Sequence, residues 1–522
     1  MTGHLRTIHS SKSVIAAWEE TKQLGKPTDF KVVPKSAKVA RHGPSSSWVD
    51  IRFTFAVHGD LQGNAAGFVS VTPDQQNHGQ WKIWMLRTWL ENFQGHGHPD
   101  ELQPGPARTD SHVDDRTINH HQAGKGSEEH DVVIVGGGQA GLCVAGRLRA
   151  LGVPYVLFER NAEIGQSWTN RYESLRWHTS KEYGHLPFDR TYLPSDDYLL
   201  TTKMIGSGFR RYTERYDINV RCGVTVEGAS FDETNSSWTI TTKSKDTESK
   251  IVARTLVLAT GGYAGVPVNP DWPGRERYNG TALHGTEFKS AAPWKGKRGV
   301  VVGTANTGHD VAEDMVQAGF ESVTMVQRGK TFVFPAEWLH KAEDVFYHKD
   351  LPTSEADRTA FTYPNKIMRE FTNRKVHELI DGSPERFDAL ERAGFKLERK
   401  GDIYNNLYSR FGGHYIDIGT SDRIAKGQIK MKSDSAVKEW TDRGLLFEDG
   451  SELEADLVVL CTGFDHDFRK MSASIIGEKA ADSMEDFFGI DAEGEVRGAY
   501  KLAGRKSSTA MDVGIECHSD MY

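Results

Sequence analysis

Two short stretches combine glycine spacing with flanking residues in a way that serves nucleotide chemistry. In "DVVIVGGGQAGL", the strand-like run Val132 to Val135 enters Gly136, Gly137, Gly138, Gln139, Ala140 and Gly141. Gly136 permits a tight turn, Gly138 lets backbone amides approach a pyrophosphate, and Gly141 lets the following helix pack closely on the strand. The next strand-like run closes with Glu159, 18 residues beyond Gly141. A carboxylate there accepts hydrogen bonds from both hydroxyls of a ribose and repels a 2'-phosphate. The expected occupant is FAD or NAD, and not NADP.

The second stretch, "RGVVVGTANTGHDVAEDMVQAGFESVTMVQRGK", repeats the plan with a different ending. Gly303 and Gly308 hold the first and third glycine positions, while Ala305 stands at the second, where it allows less backbone approach than glycine. The strand that follows ends in Gln327 and Arg328, with Arg328 20 residues beyond Gly308. A guanidinium at that place clamps a 2'-phosphate in bidentate fashion, so NADPH is expected over NADH. One acid-terminated and one arginine-terminated unit in a single chain imply FAD held permanently and NADPH visiting it, which is the plan of an oxidoreductase.

These turns need sheets to hold them. After residue 130 the sequence alternates apolar runs ("VVIVG", "YVLFE", "TLVLATG", "RGVVVG", "SVTMVQR", "DLVVLCTGF") with helical stretches, as in an α/β protein with buried parallel strands. "LVLATGG" (256–262) and "VVLCTGF" (458–464) are strand-to-glycine crossings suited to returning the chain between two nucleotide-binding domains. Residues 1–93 carry near-alternating strands such as "WVDIRFTFAV" and read as a small sheet-rich domain, and 94–130, rich in Pro, Gly, His and Asp, reads as a solvated linker. The divisions that follow are an FAD-binding domain at 131–290, an NADPH-binding domain with a helical insertion at 291–464, and a return to the FAD domain at 465–522.

Composition excludes several classes. A formal charge of -8 with no basic block argues against nucleic acid and anionic membrane as partners. Cys143, Cys222, Cys461 and Cys517 form no C-x-x-C, which argues against a zinc site, a redox dithiol and a disulfide framework, and fits a reducing compartment. The irregularly spaced linker histidines add no metal signal. No apolar run reaches the roughly 18 residues of a membrane span, and "VIAAW" is too short for a signal-peptide core, so the cytoplasm is the expected location.

Between the two turns lies "YNGTALHGTEF", and its Tyr278, Gly280, His284 and Phe288 resemble the pattern F-x-G-x-x-x-H-x-x-x-[FY] of the class B flavin-containing monooxygenases, in particular fungal members with an extra N-terminal domain. "GQSWTNRYESLRWHTSKEYGHLPF" is similar to the family segment in which Gln166, Ser167, Trp168, Arg171, His178 and Thr179 line the flavin. "GTANTGHDVAEDM" resembles the family's G-x-G-N-S-G-x-D-I-A, with Asn306, Thr307, Gly308 and Asp310 in place. Baeyer-Villiger relatives usually end the histidine pattern with Trp, so Phe288 favours the flavin-containing monooxygenase branch. The C-terminal "LAGRKSSTAMDVGIECHSDMY" departs from the family, which continues with a glycine-aspartate turn beside the flavin and a closing helix.

The resemblance implies an α/β fold of two dinucleotide-binding Rossmann-like domains, for FAD and NADPH, preceded by a small α+β NTF2-like domain. It implies an enzyme that inserts one atom of O2 into a small organic substrate through a C4a-(hydro)peroxyflavin, of the kind that tailors a fungal secondary metabolite. Arg171 is then expected at the flavin or NADP, and Asn306 near the nicotinamide ribose. His284 is read as a structural histidine of the interdomain crossing, and "FGGHYIDIGTSD" (411–422) as either the border of the substrate site or a hairpin turn and strand. The N-terminal region is read as a packing or dimerisation unit, which allows a homodimer. A Baeyer-Villiger enzyme and a non-catalytic nucleotide-binding protein remain the alternatives, while a flavin disulfide reductase lacks its dithiol.

Overall fold

A computed structural model of the chain describes residues 5–42, 46–60, 62–105, 128–261 and 266–498, with the backbone of 513–514. The first unit opens with helix α1 (Ser11–Gly25), whose start is capped by the Ser10 hydroxyl accepting from Ser13 N–H. Five strands follow: β1 (Thr28–Val32), β2 (Lys38–Arg41), β3 (Ser47–His58), β4 (Gln62–Pro73) and β5 (Trp81–Phe93). All pair antiparallel, in the order β1-β3-β4-β5 with β2 also on β3. This helix-plus-sheet composition matches the small α+β unit expected before the nucleotide-binding region.

The second unit contains β6 (Glu128–Val135), α2 (Gln139–Ala150), β7 (Tyr155–Glu159), α3 (Gln166–Thr169), α4 (Thr202–Arg215), β8 (Val220–Cys222), β9 (Thr225–Asp232), β10 (Ser237–Ser244) and β11 (Thr247–Leu258). Its sheet runs β8-β7-β6-β11-β10-β9, parallel from β8 to β11 and antiparallel through β10. Strands β6 and β7 are buried on both faces, which is why they read as unbroken apolar runs. Trp238 and Ile240 of β10, by contrast, alternate with threonines, as an antiparallel layer with one wetter face requires.

The third unit supplies β12 (Thr281–His284), β13 (Arg298–Val302), α5 (Asn306–Gln317), β14 (Ser322–Val326), β15 (Phe332–Pro335), α6 (Ala336–Glu343), α7 (Thr353–Phe361), α8 (Asn365–Asp381), α9 (Pro384–Arg392), α10 (Ile403–Tyr408), β16 (His414–Asp417), α11 (Thr420–Ala425), β17 (Lys430–Lys432), β18 (Val437–Trp440), β19 (Gly444–Phe447), β20 (Glu452–Glu454) and β21 (Leu457–Leu460). Its main sheet, β12-β21-β13-β14-β17, is parallel throughout. Helices α6 to α10 are the helical insertion. The chain then returns to the second unit: α12 (Phe468–Ile476) and α13 (Glu478–Ala481) bury Phe468, Ile476 and Ala481 against Val133, Phe158 and Trp238. A last strand, β22 (Val513–Gly514), pairs parallel with β11 at Leu256 and Val257. The rest of the unusual C-terminal stretch lies outside the described residues, as does Cys517.

Two features differ from the sequence reading. Residues 94–105, expected as solvated linker, lie against the body: Asp100 pairs with Arg147 of α2 at 3.2 Å and with Arg358 of α7 at 2.9 Å. At its other end the expected linker is already strand, because Glu128 is drawn into the sheet by Arg221 of β8 (2.8 Å) and His130 (2.9 Å). The remainder, 106–127, lies outside the described residues.

The N-terminal sheet docks on the insertion through a buried charged cluster. Asp50 accepts from Trp48 (3.0 Å) and Tyr363 (2.5 Å) and pairs with Arg87 (2.9 Å), whose guanidinium lies 3.8 Å from the Tyr363 ring centre. Removing one partner of such a buried pair costs about 3–5 kcal/mol, so this contact is sensitive to single substitutions. No described helix is long and apolar enough to cross a membrane.

Candidate functional site

The two glycine turns share their backbone geometry at the three glycine positions, although their sequences differ. Gly136 has φ 109° and Gly303 has φ 119°, a region that side chains rarely adopt. A Cβ on Gly136 would sit 2.3 Å from the Ala259 carbonyl oxygen, and one on Gly303 2.2 Å from that of Cys461. Ala259 and Cys461 directly follow β11 and β21, so each crossing strand ends under the first glycine of one turn. At the third glycine, a Cβ on Gly141 would sit 1.9 Å from the Gly136 oxygen, and one on Gly308 2.2 Å from the Gly303 oxygen. Helix and strand therefore approach too closely for any side chain.

The second position explains how Ala305 is tolerated. Gly138 (φ -78°, ψ -168°) and Ala305 (φ -89°, ψ -175°) share one extended conformation, available to any residue, at the starts of α2 and α5. Neither helix start carries a side-chain cap, and a Cβ at Gly138 would meet nothing within 4 Å. Both features suit a pyrophosphate seated on the helix N-terminus.

Glu159 ends β7 with 7% of its surface exposed. Its carboxylate accepts from Gly137 N–H and Asn161 N–H, both at 2.8 Å, and from the Asn161 side-chain amide at 2.7 Å. The acid thus clamps the first turn and keeps lone pairs for hydroxyl donors. After β14 the work is divided between neighbours. Gln327 is buried and bonded to Lys396 N–H (2.7 Å) and to Thr331 (3.2 Å), which in turn bonds Thr304 of the second turn (2.7 Å). Arg328 stands exposed, with no carboxylate in ion-pair range among the described residues.

The segment from α3 onward crosses between the units. Gly165 (φ 90°) starts α3 in close contact with Gly206 of α4. Gln166 accepts from Glu163 N–H at 3.3 Å and Ser167 is exposed. Trp168 is buried and stacks on Trp177 (5.3 Å between centroids), with the exposed Arg171 guanidinium 5.0 Å from the Trp168 ring. Beyond it the Tyr172 hydroxyl donates to Asp310 of α5 at 2.7 Å, and His178 Nε2 lies 3.7 Å from the other Asp310 oxygen. Burial, and then Asp310, hold the Tyr172 hydroxyl well above the usual tyrosine range, so it stays a donor. His340 of α6 donates to the His178 carbonyl (2.7 Å), and Glu343 accepts from Ser180 N–H (3.0 Å). Burial pushes the Glu343 carboxyl up to about 8.

Three expected residues acquire a clearer place. The Asn306 side-chain oxygen accepts from Ile416 N–H at 2.8 Å, so this asparagine ties α5 to β16 with its NH2 left to donate. His178 and Thr179 are buried at the junction with the second nucleotide unit, and both His178 ring nitrogens and the Thr179 hydroxyl lack a protein hydrogen-bond partner. Buried polar atoms left this way are costly, so the pair suits the polar edge of a bound cofactor. Thr307 packs its methyl toward Gly285. His284 is anchored locally in β12: its Nδ1 accepts from Thr286 N–H (3.2 Å), its ring meets Phe464 edge-on, and burial lowers its basicity.

Several residues at this junction carried no motif. Tyr415 of β16 stacks on His309 with centroids 3.6 Å apart, and "FGGHYIDIGTSD" is a turn, a parallel strand beside β15 and the start of α11, not a hairpin. Burial holds His309 and His414 down to about 4, so both are neutral. Asp310 was visible as part of the second motif, but its bond to Tyr172 was not. Among the described residues Cys143, Cys222 and Cys461 form no disulfide.

A sequence profile described as pyridine nucleotide-disulphide oxidoreductase matches residues 133–340. The indole-3-pyruvate monooxygenase YUCCA1 of Oryza sativa subsp. japonica is 33% identical over 340 residues, covering 64% of this chain and 76% of that protein. The probable indole-3-pyruvate monooxygenase YUCCA9 of Arabidopsis thaliana is 31% identical over 342 residues, covering 64% and 74%. Among solved structures, a flavin-containing monooxygenase from Stenotrophomonas maltophilia aligns with a TM-score of 0.48 at 18% identity, over 76% of this chain and 92% of that one.

Proposed function

The chain belongs to the class B flavin-containing monooxygenases, and from that membership we propose that it oxygenates a small organic molecule with electrons delivered by NADPH at the second turn to FAD held by the first. It is a flavin-dependent monooxygenase that uses NADPH and O2, with FAD and NADP(H) as its nucleotides. The observation that carries the division of labour is the pair of equivalent turns, one closed by Glu159 and the other by the exposed Arg328. When bound, FAD supplies the electron transfer and the activation of O2.

The chain's own residues position and shield. The amides at the start of α2 and the Glu159 carboxylate would hold the adenosine end of FAD, and Gln166, Ser167, Trp168, His178 and Thr179 would line its ring. The amides at the start of α5, with Gly303, Thr307 and Gly308, would hold the NADPH pyrophosphate, and Arg328 would take its 2'-phosphate. Arg171, exposed beside Trp168, would supply a cation to the flavin or NADP. The Tyr172–Asp310 bond keeps the units in one relative orientation, and the buried, stacked Trp168 and Trp177 exclude water.

The N-terminal helix and antiparallel sheet support an NTF2-like reading of that unit. For substrate, a fungal secondary metabolite or another small molecule with a carbonyl, sulfide or amine is the class proposed; indole-3-pyruvate is the first compound to assay because it stands in the relatives' names. The test is the purified protein's visible spectrum, followed by NADPH oxidation under air and under nitrogen with indole-3-pyruvate, a thioether and a cyclic ketone. A flavin band, O2-dependent product and an NADPH preference are expected. No flavin band after FAD is added would overturn the reading and favour a binding protein, and turnover of the cyclic ketone alone would favour the Baeyer-Villiger alternative.

A further inference from the structure

The N-terminal sheet has two faces of opposite chemistry. One carries Asp50, Arg87 and Trp48 and is covered by α7 and α8 of the same chain. On the other, Val39, Val49, Val71 and Ile83 pair directly across β2, β3, β4 and β5 into one unbroken row, and the neighbouring row brings Val69 opposite Leu86. Neither row carries a charge. Val39 is 61% exposed, Ile83 69% and Leu86 42%.

The concentration of such residues is local. Nine of the fifteen large apolar side chains that stand exposed among the described residues lie before residue 94, and three of them, Val39, Ile83 and Leu86, stand on these two rows. Helix α1 does not cover them: none of its residues is buried, and its Trp18 reaches only the sheet edge at Phe30, 6.2 Å away. An apolar patch of this size marks a contact surface.

We infer that this face is the contact with a second copy of the chain, two sheets packed face to face about a two-fold axis. An isologous contact needs a patch complementary to itself, and uncharged rows of valine, isoleucine and leucine satisfy that without any matching of charge. Strands β3, β4 and β5, with about eight residues each, and the four residues of β2, spaced about 4.8 Å apart and rising about 3.3 Å per residue, give a flat footprint of roughly 450 Å² before side-chain relief is added. Two such faces approach the lower bound of about 1,200 Å² for a stable interface. Sheets of this kind pack about 10 Å apart with interdigitated side chains. Among the described residues α7 and α8 lie on the opposite face and α1 buries none of its residues, and an uncharged face complementary to itself is matched by a second copy.

The test is sedimentation velocity of the full-length, FAD-loaded protein over a wide concentration range. Wild type is expected at twice the chain mass. Ile83→Lys and Val39→Lys are each expected at a single chain mass, with flavin absorbance and NADPH oxidation retained, because both side chains are exposed in the single chain. Val345→Lys, at an equally exposed apolar residue outside the sheet, is expected to stay at twice the mass. If a lysine variant fails to fold, Ile83→Thr, which keeps strand propensity, is expected to raise the dissociation constant instead. A wild type at single chain mass throughout, or Ile83→Lys and Val39→Lys at twice the mass, would overturn the inference.

Discussion

Replacing Arg328 with Ala isolates the choice of nicotinamide cofactor. The side chain stands exposed at the end of β14 and makes no ion pair among the described residues, so its removal costs the fold nothing beyond the ordinary scatter of surface changes. What is lost is a charge-assisted contact with the 2'-phosphate, about 1.5–3 kcal/mol in general. At about 1.4 kcal/mol per factor of ten, that is roughly a tenfold to 150-fold fall in kcat/KM for NADPH. Exposure and salt place the expected effect in the lower half of this range, and added salt should narrow the wild-type preference further. NADH, which lacks the phosphate, should be unaffected, and Arg328→Lys should keep the charge but lose the bidentate geometry. The assay is steady-state oxidation of each nucleotide at fixed O2. Equal losses with both nucleotides, or an unchanged kcat/KM for NADPH, would refute the assignment.

The first turn allows a paired comparison: Gly136→Ala meets both φ 109° and the Ala259 oxygen and should destabilise the apoprotein, at about 1–3 kcal/mol for the strain alone. Gly138→Ala should leave the apo melting temperature unchanged while weakening FAD binding, measured by quenching of flavin fluorescence. Tyr172→Phe removes a donor from the buried Asp310 and should lower stability by about 1.5–3 kcal/mol in denaturant melts; adding Asp310→Asn to it should cost less than the two separate losses combined. Buried Glu343 holds its proton to about pH 8, against an ordinary value of 4.5, so the folded state binds more protons than the unfolded one in between. Stability should therefore fall as pH rises from about 4.5 to 8, and Glu343→Gln should flatten that part of the melting curve. Neutral His309 and His414 act oppositely, with stability lost as pH falls from 6.5 toward about 4.

Much of the nucleotide-binding plan was legible because each turn is a local object. Glycine at 136 and 303 is demanded by backbone angles that the adjacent residues determine, and strand, turn, helix and closing residue all lie within some 30 positions. The positions of Glu159, the last residue of β7, and of Arg328, two residues beyond β14, could be read for the same reason. Ala305 looked like a flaw, because sequence cannot show that the second glycine position takes an extended conformation with open space on its side-chain face.

What remained hidden lies in contacts between distant segments. Tyr172 meets Asp310 from 138 positions away, and Asp50 meets Tyr363 from 313. The Ala259 and Cys461 carbonyls lie beneath their glycines only once β11 and β21 are seated in the sheets. The linker reading failed in part for the same cause, since nothing near Asp100 announces Arg147 or Arg358 as its partners. Sequence alone determined the backbone geometry of the turns, because glycine spacing and the angles it permits are local. Tertiary structure alone decided how the two units are locked together and which face of the N-terminal sheet stays open, because burial depends on neighbours that the chain brings in from far away.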